Sequence, residues 1–216
     1  VFDARFLLEH LTRDAGLHDS SHDFGRDVIP AAIAQGGVHG YRFADLDDDS
    51  QPGYWRDVGT VDTYWQANRE LIGVLPELNL YDERWPILTD HPLAPPAKFI
   101  FGGAHGHDCV QESLISAGCI VSGASVHGSV MFVNSRVDAG SHVEGSLLLP
   151  GVAVGRGCRI VNAIVDEGCV IPDGVSIGGA QGDGAYHVSP GGVTLVTREM
   201  LSEAGFGRAS VAVARA

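Results

Sequence analysis

Three columns of aliphatic residues recur at 17-residue intervals in the second half of the chain, and few folds accept that period. Ile120, Val137, Val154 and Ile171 form one column, Val126, Val143, Ile160 and Ile177 a second, and Leu114, Met131, Leu148 and Val165 a third. A helix buries every third or fourth residue and a half-buried strand every second, so neither alone explains a cycle divided into steps of six, five and six. A coil with three short faces does, because each face then turns one aliphatic side chain inward. Its corners need residues that tolerate positive φ, and Gly123, Gly140, Gly157 and Gly174 recur at the same interval. The pattern predicts a triangular parallel β-helix of hexapeptide repeats over residues 101–180. In this register Cys109 joins the Val126 column as a core thiol.

The first half has different periods. Asp3 is placed to cap a helix carrying Phe6, Leu7, Leu8, His10 and Leu11 and ending at Gly16, and Val28, Ile29, Ala32 and Ile33 give a shorter helical pattern. Thr60 opens an amphipathic run of Val61, Tyr64, Trp65, Asn68, Leu71 and Ile72, with Asp62 in its first turn. Residues 54–58 have strand character, as do Val1 and Phe2, so Asp57 stands where a strand passes into a helix. In an α/β domain ligands bind in the crevice beyond the carboxyl ends of the strands, which makes Asp57 a candidate metal or sugar contact. The plainer alternative is a capping carboxylate, or one paired with Arg56. The polar loop 20–27 holds a second candidate pair, Asp23 and Phe24, with an N-cap as the alternative for Asp23 and an ordinary surface histidine for His22. Asp45, Asp47, Asp48 and Asp49 read as a solvated acidic loop. Pro86, Pro92, Pro95 and Pro96 stiffen the segment up to Lys98. The expected order is an α/β region over 1–86, a proline-rich linker over 87–100, the β-helix over 101–180 and a tail over 181–216.

Charge and cysteine usage exclude several functions. Fourteen basic against 27 acidic residues leave a net charge of −13, which repels phosphate backbones and anionic bilayers, so nucleic acid and membranes are not expected partners. The four cysteines form no C-x-x-C pair and read as buried thiols of a cytoplasmic protein. No apolar run is long enough to span a bilayer. The chain opens on Val1 without Met, as though cut from something longer.

Several longer motifs carry a resemblance. Val1-Phe2-Asp3, SSHDFGRD at 20–27, GYWRDVGT at 53–60, YWQAN at 64–68, YDERWPI at 81–87, PPAKF at 95–99 and VTREML at 196–201 resemble bacterial ADP-glucose pyrophosphorylase, the glucose-1-phosphate adenylyltransferase family. The resemblance implies the C-terminal part of a Rossmann-like nucleotidyltransferase domain followed by a left-handed β-helix. It implies a cytoplasmic, metabolite-regulated homotetramer that joins glucose 1-phosphate to ATP, releasing pyrophosphate and ADP-glucose for glycogen synthesis. By similarity Asp57 is one of two carboxylates on the catalytic Mg²⁺, Asp23, Phe24 and Trp55 line the glucose pocket, and Arg198 matches an effector-binding arginine. Sugar-phosphate-activated relatives carry basic residues where Glu167 and Ser202 stand. The family's glycine-rich nucleotide segment, catalytic arginine, sugar-phosphate lysine and other metal carboxylate have no counterpart in these 216 residues, so this chain alone is expected to be inactive.

Two other classes fit parts of the pattern. A non-catalytic regulatory subunit of the same family would keep the fold and lose the chemistry, although Asp23, Trp55 and Asp57 are all present. A β-helix acyltransferase would use a coil histidine, His127 or His142, as general base, but the repeat has no loop excursion to build a pocket around either.

Overall fold

A computed structural model describes residues 1–45, 50–90, 92–100, 109–179 and 185–206. Asp47, Asp48 and Asp49 of the acidic run and most of the glycine-rich stretch up to Gly184 lie outside the described residues. The chain divides into two units, Val1–Gly53 and Tyr54–Ala216.

In the first unit the helix start and stop signals act as expected. Helix α1 (Ala4–Ala15) begins at Asp3, whose side chain accepts a hydrogen bond from the Phe6 N–H, and ends at Gly16. A single wide turn, Phe24–Val28, leads into α2 (Ile29–Gln35). Val28, Ala32 and the imidazole of His10 are buried, and His10 packs against the Phe6 ring at 4.3 Å between centroids. The strand expected at Val1 and Phe2 does not form.

The second unit is built on the β-helix. Its strands stack into three parallel sheets, with the spacing of about 4.7–4.9 Å usual between hydrogen-bonded strands separating successive coils. The first contains Lys98–Ile100, Ile120–Ser122, Arg136–Val137, Ala153–Val154 and Val170–Ile171. The second contains Val110–Gln111, Ser125–His127, His142–Glu144, Arg159–Val161 and Ser176–Ile177. The third contains Leu114–Ile115, Val130–Met131, Leu147–Leu148, Ala163–Val165 and Thr194–Val196, with His187–Val188 added antiparallel at its edge. Lys98–Ile100 falls within the expected linker and Thr194–Val196 within the expected tail, so the coil's sheets extend beyond 101–180 at both ends.

The register departs from a uniform repeat at one corner. Val121, not Ile120, lies beside Val137, Ile115, not Leu114, beside Met131, and Val110, not Cys109, beside Val126. Each of these steps is 16 residues, and each later step in the three columns from Val126 to Ile171 is 17. The missing residue is at the corner between Val121 and Val126, where four residues make the turn that takes five between Val137 and Val143. A slip of one residue turns every side chain to the opposite face. Cys109 is therefore beside the inward position, half-buried, whereas Cys119, Cys158 and Cys169 are buried free thiols. Burial pushes the Cys169 thiol up to about 11, with Asp166 adding to the effect.

The third sheet is apolar on both faces. Ile115, Met131, Leu148, Val165 and Val196 face into the coil. The neighbouring residues Leu114, Val130, Leu147, Ile164 and Leu195 face out, and three of them are nonetheless nearly inaccessible: Val130 at 6%, Leu147 at 0% and Ile164 at 3%. Helix α3 (Val61–Glu70) accounts for this, with Val61, Tyr64 and Trp65 packed on the outward row together with Ile72 just beyond the helix. Each aliphatic side chain so covered contributes about 1.5–3 kcal/mol. Two polar contacts fix the helix against the coil's corners: the Trp65 indole N–H donates to the Gly145 carbonyl at 2.7 Å, and Arg69 Nε donates to the Gly128 carbonyl at 3.0 Å while stacking over the Trp65 ring. Gly145 has φ of 56°, and a Cβ there would sit 2.5 Å from the Asn162 side-chain oxygen, so this corner requires glycine.

The contracted corner is directly testable. Val121→Asp places a carboxylate in the coil's interior and should abolish the cooperative melt of the β-helix, whereas Ile120→Asp, on the outward side, should shift it only modestly. A reversed order of the two melting temperatures by circular dichroism would restore the uniform 17-residue register.

Candidate functional site

The residues singled out in the sequence fall in both units: Asp23 and Phe24 in the first, Trp55, Asp57 and Arg198 in the second. In the first unit the backbone tightens around Asp23. Its side chain accepts a hydrogen bond from the Arg26 N–H at 2.7 Å, which is N-cap geometry, while its own N–H donates to Asp27 Oδ2 at 3.0 Å. The Ser21 hydroxyl, then the Asp23 N–H, hold the Asp27 carboxyl below its ordinary value. His22, just before, has a positive φ of 55°, a conformation uncommon for a residue with a side chain, and its ring nitrogen lies 3.0 Å from Asp14. Phe24 is partly exposed and meets Phe2 edge to face at 5.6 Å. Capping occupies one oxygen of Asp23, and an aromatic surface stands beside it.

In the second unit residues 54–58 form no sheet, which corrects the expected strand. Strand character in a sequence becomes a strand only where a neighbour supplies ladder hydrogen bonds, and among the described residues none pairs with this segment. The next turn is defined by side chains. Asp57 Oδ1 accepts from the Gly59 N–H at 2.8 Å, an Asx turn that delivers the chain to Thr60. Thr60 and Thr63 then form a reciprocal capping box at the start of α3. Arg56 does not pair with Asp57. Its guanidinium makes two hydrogen bonds to the Glu70 carboxylate, one at 2.9 Å through Nε, and the arginine holds Glu70 below its ordinary value.

The outcome is a small hollow of about 230 Å³ lined by Trp55, Arg56, Asp57, Thr63 and Gln66. Trp55 is 74% exposed, and among the described residues no donor reaches Asp57 Oδ2. Thr63 and Gln66 were not singled out in the sequence. Their spacing of three on the polar side of an amphipathic helix was the available signal, since α3 begins where the Asp57 turn ends. Asp57 offers one free hard oxygen, and no cluster of three or more metal-ligating side chains occurs among the described residues. A carboxylate oxygen is a hard ligand of the kind that Mg²⁺ takes together with waters and substrate phosphates.

Arg198 opens α4 (Arg198–Glu203), with Thr197 as N-cap. Its Nε donates to the Glu167 carbonyl at 2.8 Å, and its guanidinium lies over Gly168, where φ is 61° and a Cβ would collide with it. The side chain is exposed and makes no carboxylate pair among the described residues. The coil histidines have partners on the outer face of the second sheet. His142 lies between Ser125, 2.8 Å away, and Glu144 at 3.1 Å, and His127 is 3.6 Å from Glu112.

A nucleotidyl transferase family matches residues 1–73, and a GlmU-like C-terminal hexapeptide family matches residues 95–196. Curated relatives match across both segments. Glucose-1-phosphate adenylyltransferase of Methylococcus capsulatus is 48% identical over 205 residues, covering 94% of this chain and 48% of that protein. The proteins of the same name from Nitrosococcus oceani and Methylobacillus flagellatus are 47% and 49% identical, each match covering 94% of this chain and 48% of the relative. Over 94% of its length the chain is similar to glucose-1-phosphate adenylyltransferases. It spans about half the length of the curated relatives it matches. Among its described residues no helix is long and apolar enough to cross a membrane.

Proposed function

We propose that this chain is the C-terminal half of a glucose-1-phosphate adenylyltransferase, which forms ADP-glucose and pyrophosphate from ATP and glucose 1-phosphate in glycogen synthesis. The observation that carries the reading is the hollow at the start of α3, where an exposed indole stands beside a carboxylate with one free oxygen. Nearly half of the aligned residues are identical to relatives bearing that name, which supports the same chemistry.

In this reading a phosphate oxygen of glucose 1-phosphate attacks the α-phosphorus of ATP in line, the bond to the bridging oxygen of pyrophosphate breaks, and no enzyme-bound intermediate forms. The protein's task is positioning and charge neutralisation. Bound Mg²⁺, held by Asp57 and a second carboxylate outside this chain, would neutralise phosphate charge. Trp55 supplies an apolar surface for the C–H face of glucose; for Asp23 and Phe24, in the other unit, a sugar contact rests on the sequence resemblance alone. Arg198 retains guanidinium donors beyond the one bonded to Glu167, and a planar fork suits a phosphate-bearing effector. The active form would be a homotetramer.

In the full-length enzyme Asp57→Asn should fold normally and lose about 10²-fold or more in kcat, because a hard ligand is lost at the reacting phosphates. Trp55→Ala should instead raise the KM for glucose 1-phosphate with a smaller effect on that for ATP. A kcat within about threefold of wild type for Asp57→Asn at saturating Mg²⁺ contradicts the metal assignment. Titrations with sugar phosphates and keto acids test Arg198 separately. Arg198→Ala should weaken activation several-fold while preserving the unactivated rate, and an unchanged activation constant would make it a structural residue.

A further inference from the structure

Asp62, in the first turn of α3 and five residues beyond Asp57, is engaged more fully than a helix-end carboxylate needs to be. An acidic residue there is already favoured by the helix dipole without any partner. Here both of its oxygens are bound to a segment far away in the sequence: the Ser189 hydroxyl donates to Oδ1, and the Gly191 N–H donates to Oδ2 at 3.0 Å. Ser189 is 6% exposed, and its Oγ accepts from the Val193 N–H at 3.0 Å, so the contact is part of a connected chain of hydrogen bonds. The loop is closed by two backbone bonds between Ser189 and residues 192 and 193, each 2.9 Å. At Gly191 a Cβ would lie 2.5 Å from Asp62 Oδ1, so the approach requires the absence of a side chain.

What the loop is attached to matters as much. It runs directly into Thr194–Val196, a strand of the third sheet held in register against Ala163–Val165. Asp62 therefore binds the first turn of α3 to a rigid part of the β-helix. On its other side only Thr60 and Val61 separate it from the Asp57–Gly59 turn. The Trp65 and Arg69 hydrogen bonds to the coil's corners hold the middle and the C-terminal end of α3. The bonds of Asp62 hold the end nearest Asp57, which those two do not reach.

We propose that Asp62 is a positioning residue: through its clasp on Ser189 and Gly191 it sets the N-terminus of α3, and with it the direction of the Asp57 carboxylate. The inference rests on the reading of Asp57 as a contact at the reacting phosphates. A displacement of about 1 Å at such a group is enough to cost about 10²-fold in rate.

The test uses the full-length enzyme and two readouts. Asp62→Ala and Gly191→Ala are expected to lower kcat by about 10- to 100-fold and to raise the Mg²⁺ concentration for half-maximal rate, leaving the melting temperature of the β-helix nearly unchanged. Ser189→Ala should lose less, and Asp62→Asn should fall between, because an amide can accept from only one of the two donors. Independently of activity, amide hydrogen exchange at residues 57–63 should quicken in Asp62→Ala without change in the strands of the third sheet. Unaltered exchange at 57–63 overturns the proposal whatever the kinetics. If exchange quickens and Asp57→Asn is inactive, yet Asp62→Ala keeps wild-type kcat and Mg²⁺ dependence, positioning is overturned while the Asp57 assignment stands. An active Asp57→Asn removes the parent reading and this inference with it.

Discussion

The burial of the third sheet on both faces is the constraint on which the second unit depends. A β-helix needs only its inward columns to be apolar, and the first two sheets turn largely polar or half-buried residues outward. The third places Leu114, Val130, Leu147, Ile164 and Leu195 on its outer side, a row that would be an aggregation hazard if left in water. Helix α3 covers it. The dependence is mutual, since a ten-residue helix is marginal in water and gains its stability from the surface on which it packs.

That docking explains why a candidate site can lie on an irregular segment. Among the described residues none pairs in a sheet with 54–59, and their order comes from the Asx turn of Asp57, the Arg56–Glu70 pair and the capping box of Thr60 and Thr63. Each of these is anchored on or next to α3, so the helix transmits the rigidity of the coil to the hollow beside Trp55. The exposed Arg56–Glu70 pair contributes little stability, and its effect is to orient. Arg198 obeys the same logic at another point of the coil, where a glycine corner at Gly168 admits its guanidinium close to the backbone.

Much of this was legible in the sequence, for identifiable reasons. The inward columns could be read because a repeat is its own control, and the α1 and α3 caps because Asp3 and Thr60 act within three residues of themselves. The one-residue contraction at the Val121–Val126 corner could not be read so easily, because Ile120 and Val121 are both aliphatic, as are Leu114 and Ile115, and either register satisfies the pattern. The same doublets, Val130-Met131, Leu147-Leu148 and Ile164-Val165, were a missed signal for a sheet buried on both faces. Asp57 and Trp55 stand out as residue types in a motif, but the Glu70 partner of Arg56 and the Asp62 clasp are long-range facts that spacing does not encode. The strand expected over 54–58 failed for a related reason: propensity is local, and a ladder needs a second strand.

The central claim is that α3 is stabilised as part of the β-helix rather than as an appendage to it. Native-state hydrogen exchange across a denaturant series tests this most directly. The account predicts that the amides of Tyr64 to Arg69 open with about the same free energy and denaturant dependence as those of Leu147 and Ile164. Opening of α3 at a much lower free energy, comparable to that of the irregular residues 74–90, while the third sheet stayed protected, would contradict it.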